Sequence, residues 1–311
     1  MASQKFDPDS DIPSLSGKVI LVTGGNIGLG QESILQLAKH DPKRIYLAAR
    51  SEEKARKAME AIEQKIGAAK SSVITFLPLD LGSFDSVRKA ADTVKSQTDE
   101  LHILLNNAGI MMTPAAKTKD GYEEQFGVNH MGHALLTRLL LPLLEKTAKS
   151  GADVRIVNLS SSGEMLAATD CFKDMSRYKT TMEDVQTVKR YGAAKLANVY
   201  HAQMLAQKYP SIKAVSLHPG VVKTNLMSRM KESWPILGPI VSSIISNVFC
   251  TSVADGVRNQ LWAAVSNDVV SGEFYHPVGL LGKGSPATKK VKEAENLWEW
   301  TEKELDEYLN K

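Results

Sequence analysis

Tyr191 and Lys195 stand at i and i+4 in Tyr191-Gly192-Ala193-Ala194-Lys195, a spacing that sets both side chains on one helical face, one turn apart. A phenol titrating near pH 10 is a poor acid–base catalyst at neutral pH, so the neighbouring ammonium would serve to stabilise the phenolate. At ~4 Å and an effective dielectric of 20 the attraction is about 4 kcal/mol, or roughly three pKa units as an upper limit. Exposed helices also carry such pairs by chance, so the rest of the chain must decide what this one does.

A second cluster, Thr23-Gly24-Gly25-Asn26-Ile27-Gly28-Leu29-Gly30, follows an apolar run and opens an amphipathic one. Glycines between a strand and a helix let the chain turn sharply and let backbone N–H groups approach a pyrophosphate, whose charge the helix N-terminus favours. The spacing is T-G-x-x-x-G-x-G rather than G-x-G-x-x-G, because Ser33 stands where the third glycine of that pattern would fall. Gly24, Asn26, Ile27, Gly28, Leu29 and Gly30 are therefore candidate dinucleotide contacts. An NAD site of this kind carries an acid at the end of the second strand to hold the ribose 2′-hydroxyl. This chain has Ala48-Ala49-Arg50 there, so no carboxylate competes and a guanidinium is available to a 2′-phosphate. The expectation is NADP(H), with Arg50 as discriminator.

The elements that would position these groups alternate. Strands are expected at Lys18–Thr23, Arg44–Ala49, Ser72–Leu79, Leu101–Asn106, Val154–Ser160, Ile212–His218 and Gly272–His276. Between them, apolar residues at i, i+3 and i+4 predict helices near Gly28–Lys39, Glu52–Ile66, Ser83–Ser96, Gly121–Lys149, Lys189–Lys208 and Ser252–Ser266. This is the pattern of an α/β fold: one doubly wound Rossmann domain over 17–311, with a parallel sheet of about seven strands covered by helices on both faces. Residues 1–16 read as a loose polar arm and Ala287–Asn310 as a charged C-terminal helix packed back on the domain. Two stretches break the alternation, 163–188 and 225–251, and both follow strand carboxyl ends, where open α/β sheets bind ligands.

Composition narrows the partner. With 311 residues, 43% hydrophobic and 23% charged, the chain is ordinary globular material, which excludes disorder and a small disulfide scaffold. A formal charge of +3 is too small to make nucleic-acid binding the default. Cys171 and Cys250 fit no CxxC or Cys/His spacing, so no disulfide framework or zinc site is expected and a reduced, cytoplasmic compartment fits. His130 and His133 flank Asn129, but i and i+3 histidines without a nearby Cys or acid predict no metal.

Taken with Asp80-Leu81, Asn106-Asn107-Ala108-Gly109, Val128-Asn129, Ile156-Val157-Asn158-Leu159-Ser160-Ser161 and Pro219-Gly220, these motifs resemble, over about residues 17–224, the short-chain dehydrogenase/reductases. The resemblance implies that Asp80 and Leu81 meet the adenine, that Asn106 and Ala108 line the adenosine ribose side, and that Gly109 also contacts the cofactor. It makes Ser161, Tyr191 and Lys195 catalytic, with Asn129 holding a water that continues the proton path, and it runs Pro219, Gly220, Val222 and Thr224 past the nicotinamide. Strand alternation leaves Ser160 and Ser162 on the opposite face from Ser161, so which hydroxyl meets substrate depends on register. Asn26, Arg50 and Lys195-Leu196-Ala197-Asn198 look like the retinol-dehydrogenase-like subgroup, whose substrates are lipophilic carbonyls or alcohols. Relatives that pair through the helix bearing Tyr191 imply a homo-oligomer.

Two readings stand for the large apolar residues of the irregular stretches, Met165, Leu166, Phe172, Met175 and Tyr178, then Met227, Met230, Trp234, Ile236, Leu237, Ile240, Ile244 and Phe249. They form a pocket for a bulky apolar substrate, with methionine adapting to shape, or they are ordinary packing under long loops. Trp234–Phe249, preceded by Lys223, Arg229 and Lys231, is too short and interrupted to span a bilayer but also fits shallow membrane contact. The expected activity is hydride transfer between NADP(H) and a retinoid, steroid or secondary-metabolite type of carbonyl. A biosynthetic enzyme using the same site for dehydration, isomerisation or cyclisation, and a non-catalytic cofactor-binding protein, are the alternatives.

Overall fold

The computed structural model describes residues 5–222 and 251–311. Among them the aliphatic runs form β1 (Val19–Thr23), β2 (Arg44–Ala49), β3 (Ile74–Pro78), β4 (Ile103–Asn106), β5 (Arg155–Leu159), β6 (Lys213–Leu217) and β7 (Phe274–Tyr275). They make one seven-stranded sheet in the order β3-β2-β1-β4-β5-β6-β7, and every neighbouring pair is parallel. Parallel strands need crossovers, which are α1 (Gly28–Ala38), α2 (Glu52–Ile66), α3 (Phe84–Gln97), α4 (Gly132–Lys149), α5 (Thr187–Lys208) and α6 (Arg258–Val265), with α7 (Val291–Leu309) closing the chain.

Side-chain alternation along the strands divides the core in two. Val19 and Leu21 face a layer built with residues of α3, α4, α5 and α7, whereas Ile20 and Val22 face one built with α1, α2 and α6. Caps set the helix starts: Ser51 accepts from the Lys54 amide at α2, and Ser83 accepts from the Ser86 amide at α3. The strand order reverses between β1 and β4, so the crevice beyond their carboxyl ends opens between the glycine turn after β1 and the loop after β4.

Several boundaries differ from expectation. The long helix expected from Gly121 begins at Glu124, and a π-helical turn at Gly127–Met131, carrying Asn129, precedes α4. The last strand is two residues rather than five. The helix expected at Ser252–Ser266 is two pieces, Val253–Gly256 and α6. Pro286 starts a separate 3-10 turn, so the C-terminal helix begins at Val291. Residues 5–16, the described part of the polar arm, are not loose: Phe6, Ile12 and Leu15 are buried. In the 163–188 stretch, Phe172, Tyr178 and Met182 are core residues rather than pocket wall, Tyr178 stacking on Phe126 with centroids 4.0 Å apart. Thr224 and the 225–250 part of the second stretch, with Trp234–Phe249 and Cys250, lie outside the described residues. No helix of the described residues is long and apolar enough to cross a membrane.

Candidate active site

A cleft of about 490 Å³ runs along the carboxyl end of the sheet. Its floor is the glycine turn, where Gly24 and Gly28 take φ of 66° and 56°, values that only glycine adopts at little cost. A Cβ on Gly24 would stand 3.0 Å from Ala108 Cα, and one on Gly30 would stand 2.3 Å from Gly24 O, so the turn and the loop after β4 are in backbone contact. Asn107 locks that contact by donating from Nδ2 to Thr23 O at 2.7 Å. The cleft is lined by Gly24, Asn26, Ile27, Gly28, Leu29, Gly30, Arg50, Asp80, Leu81, Ala108, Gly109, Pro219, Gly220 and Val222, all anticipated from sequence.

Asn106 is an exception. Its side chain points under the sheet and donates to Thr137 Oγ1 (3.1 Å) and Asn158 Oδ1 (2.9 Å), leaving Asn107 and Ala108 to face the cleft. A strand that ends at residue 106 turns successive side chains to opposite faces, and the sequence alone leaves open which face has the room.

β5 ends at Leu159, and the alternation then separates the serines. Ser160 Oγ donates backwards to Lys195 O at 2.7 Å and is spent on α5. Ser161 Oγ accepts from Gly163 N at 3.0 Å and meets the Tyr191 hydroxyl. Ser161, Tyr191 and Lys195 line the same cleft. The 163–167 segment lies hard against the tyrosine: a Cβ on Gly163 would be 2.7 Å from Tyr191 Cε1, and one on Gly192 would be 2.5 Å from Ala167 N. Just before Tyr191, buried Arg190 binds Glu123 (2.7 Å) and Thr113 O (3.1 Å), and Gln125 joins the Met112 amide (2.8 Å) to Thr187, so the loop after β4 is tied to the first turns of α5.

The electrostatics depart from expectation. Burial pushes the Tyr191 phenol up to about 12, with only the Ser161 hydrogen bond pulling it down. Burial also lowers Lys195 to about 8. The ammonium lies 5.8 Å from the tyrosine ring centroid and donates to Leu159 O at 2.9 Å, so the anticipated lowering of the phenol by Lys195 is not realised in this arrangement. Desolvation outweighs a charge whose hydrogen bonding is directed elsewhere.

Asn129 is wholly buried behind the cleft. Its amide accepts from Ile110 N (2.8 Å) and donates to Ile110 O (2.9 Å), and it approaches the Lys195 ammonium across Gly109. Asn107 and Val128 stand in motifs of the sequence without an assigned role, and sequence reasoning passed over Ser51, Lys54, Ile110, Met111 and His218; all seven also line the cleft. Lys54 carried a legible signal, since it is a cation in the first turn of the helix that follows Arg50. His218 did not: burial and the neighbouring His276 lower its ring to about 4, a consequence of distant packing. Among the described residues no group of His, Cys, Asp or Glu is placed to hold a metal ion.

Comparison with known proteins places the chain among relatives of one family and fold. The family described as short chain dehydrogenase matches residues 18–234. A short-chain dehydrogenase/reductase of Armillaria gallica is 37% identical over 99% of this chain and 98% of its own length. Retinol dehydrogenase 12 of Mus musculus is 34% identical over 91% of this chain and 85% of its own. An NADPH-bound carbonyl reductase from chicken fatty liver shares the fold, with a TM-score of 0.63 and 23% identity over 86% of this chain and 99% of that one.

Proposed function

This chain belongs to the short-chain dehydrogenase family, and we propose that it is an NADP(H)-dependent oxidoreductase interconverting a carbonyl and an alcohol on a lipophilic small molecule. The observation that carries the reading is the convergence of Ser161, Tyr191 and Lys195 on the cleft whose floor is the glycine turn. The residues present suit a dinucleotide: the backbone cradle would be filled by a Cβ at Gly24 or Gly30, and Arg50, Ser51 and Lys54 face the same cleft with no acid at the end of β2. That cationic corner favours a 2′-phosphate over a 2′-hydroxyl. The fold is shared with a reductase that holds NADPH.

When bound, NADPH supplies the hydride that reduces the carbonyl carbon. Tyr191, protonated at neutral pH, gives its phenolic proton to the carbonyl oxygen, and the Ser161 hydroxyl donates a hydrogen bond to that same oxygen as charge grows on it. Lys195, cationic below about pH 8 and lining the same cleft, would hold the nicotinamide ribose. Asn129 fixes the Ile110 backbone beside that ammonium. In the oxidative direction the phenolate takes the alcohol proton. Lipophilic substrate is supported by Met111 in the cleft, by Met165 and Leu166 exposed (52% and 50%) in the turn that follows Ser161, and by relatives that include retinol dehydrogenase 12.

The test is NADPH oxidation, followed by absorbance, with a panel of lipophilic ketones, aldehydes and quinones, wild type beside Tyr191→Phe. The expected result is turnover that falls at least a hundredfold in the variant, in line with loss of a positioned general acid, while NADPH affinity stays within about twofold. Equal rates in the two proteins, or no turnover of any carbonyl, would remove the reading.

A further inference from the structure

His133 lies at the start of α4, 2% exposed, and takes no part in the chemistry above. Its two ring nitrogens have different partners: Nδ1 lies 3.0 Å from Asn129 O, and Nε2 lies 2.8 Å from Thr23 Oγ1. The proton positions follow from the partners. A carbonyl oxygen only accepts, so Nδ1 carries the hydrogen. Thr23 Oγ1 already accepts from the Asn107 and Ala108 amides, each at 2.9 Å, so its two lone pairs are used and its own hydrogen must find an acceptor. That acceptor is Nε2, since the alternative, Leu105 O, is 3.4 Å away.

We infer that His133 is a positioning residue for the dinucleotide: a neutral, Nδ1-protonated ring that locks the loop after β4 against the glycine turn. One end reaches Asn129, whose amide brackets Ile110. The other orients the Thr23 hydroxyl so that it can receive two consecutive amides of the same loop. Thr23 is the last residue of β1, immediately before Gly24, and Ala108 is the residue against which Gly24 packs. One imidazole thus sets the relative height of the two backbone segments that line the cofactor cleft, from beneath and without touching what binds there. The inference rests on the proposed dinucleotide site.

The experiment measures NADPH affinity by fluorescence titration, with NADH alongside, and steady-state kinetics for wild type, His133→Phe, Thr23→Val and the double variant. Phenylalanine keeps an aromatic ring, somewhat larger than imidazole, and removes both hydrogen bonds. It is expected to raise the NADPH Kd about five- to tenfold, the order set by one net hydrogen bond. The kcat at saturating NADPH should stay within about twofold, because Ser161, Tyr191 and Lys195 are untouched. Thr23→Val should raise Kd as well, and the double variant should bind no worse than Thr23→Val alone, since both single changes break one chain of bonds. His133→Asn, which can donate to Asn129 O but is too short to reach Thr23, should raise Kd by a similar factor and serves if phenylalanine prevents folding. Leu140→Ala, a core truncation on the same helix, should lower Tm without moving Kd. A Kd within twofold of wild type in the His133 variants, or effects of His133→Phe and Thr23→Val that multiply, would overturn the inference. Wild type that bound neither NADPH nor NADH would overturn the dinucleotide reading and this inference with it.

Discussion

Mild acid is expected to destabilise this protein through its histidines before most of its carboxylates titrate. His130, His133, His201 and His218 are each at most 8% exposed. Burial lowers all four rings, to about 4 for His133, about 3 for His201 and about 4 for His218. In the unfolded chain the same rings bind a proton near pH 6.5. The folded state therefore pays nothing above that pH, and it loses stability as pH falls through the window from 6.5 towards 4, where only the unfolded chain takes up protons. The slope is about 1.4 kcal/mol per pH unit for each ring. At about pH 5 this amounts to roughly 2 kcal/mol each, or roughly 6 kcal/mol for His133, His201 and His218, against the 5–15 kcal/mol typical of whole domains. Glu123 and Glu302, whose carboxyls burial raises, take up protons in the folded state and offset part of the loss. Urea midpoints between about pH 7.5 and 5 measure the effect, with His201→Phe as the probe. His201 stacks on Trp298 and accepts at Nδ1 from Asn158 Nδ2 (3.1 Å), so a proton added there would meet a donor. Phenylalanine keeps the stack and cannot titrate. The variant should be less stable at about pH 7.5 yet have a pH slope shallower by about 1.4 kcal/mol per unit. A stability flat from pH 7.5 to 5, or an unchanged slope in the variant, would refute the reasoning.

Two further outcomes follow from the cleft. Arg50→Asp removes the cation from the end of β2 and installs the acid that holds a ribose 2′-hydroxyl, so the ratio of kcat/KM for NADPH to that for NADH should fall by tenfold or more; an unchanged preference would show that Arg50 does not discriminate. Gly30→Ala would drive a Cβ to 2.3 Å from Gly24 O and 2.6 Å from Asn107 Nδ2, so titration should find dinucleotide binding lost and thermal melts a destabilisation of about 1–3 kcal/mol; normal affinity at an unchanged Tm would mean the turn is not the tight cradle described.

The linear pattern determined the doubly wound order, the place of the glycine turn, the Tyr191/Lys195 face and the cation after β2. Each is local: a strand alternates by two, a helix returns every three to four residues, and a glycine or a missing carboxylate is visible without neighbours. Tertiary structure decided the rest. Ser160 and Ser161 are alike in sequence, and α5 spends the first while the second faces Tyr191. Asn106 and Asn107 are likewise alike, but only the second has a donor facing the turn after β1. Phe172 and Tyr178 suit a pocket wall by composition, yet fill the core beside Phe126 because the 163–188 segment folds back on the helices. The Tyr191 phenol moves opposite to the direction its lysine partner implied, and His133 became a strut between segments far apart in the chain. Burial and hydrogen-bond partnership are sums over residues distant in sequence, and the direction of a pKa shift or the face a side chain takes follows from that sum rather than from local spacing.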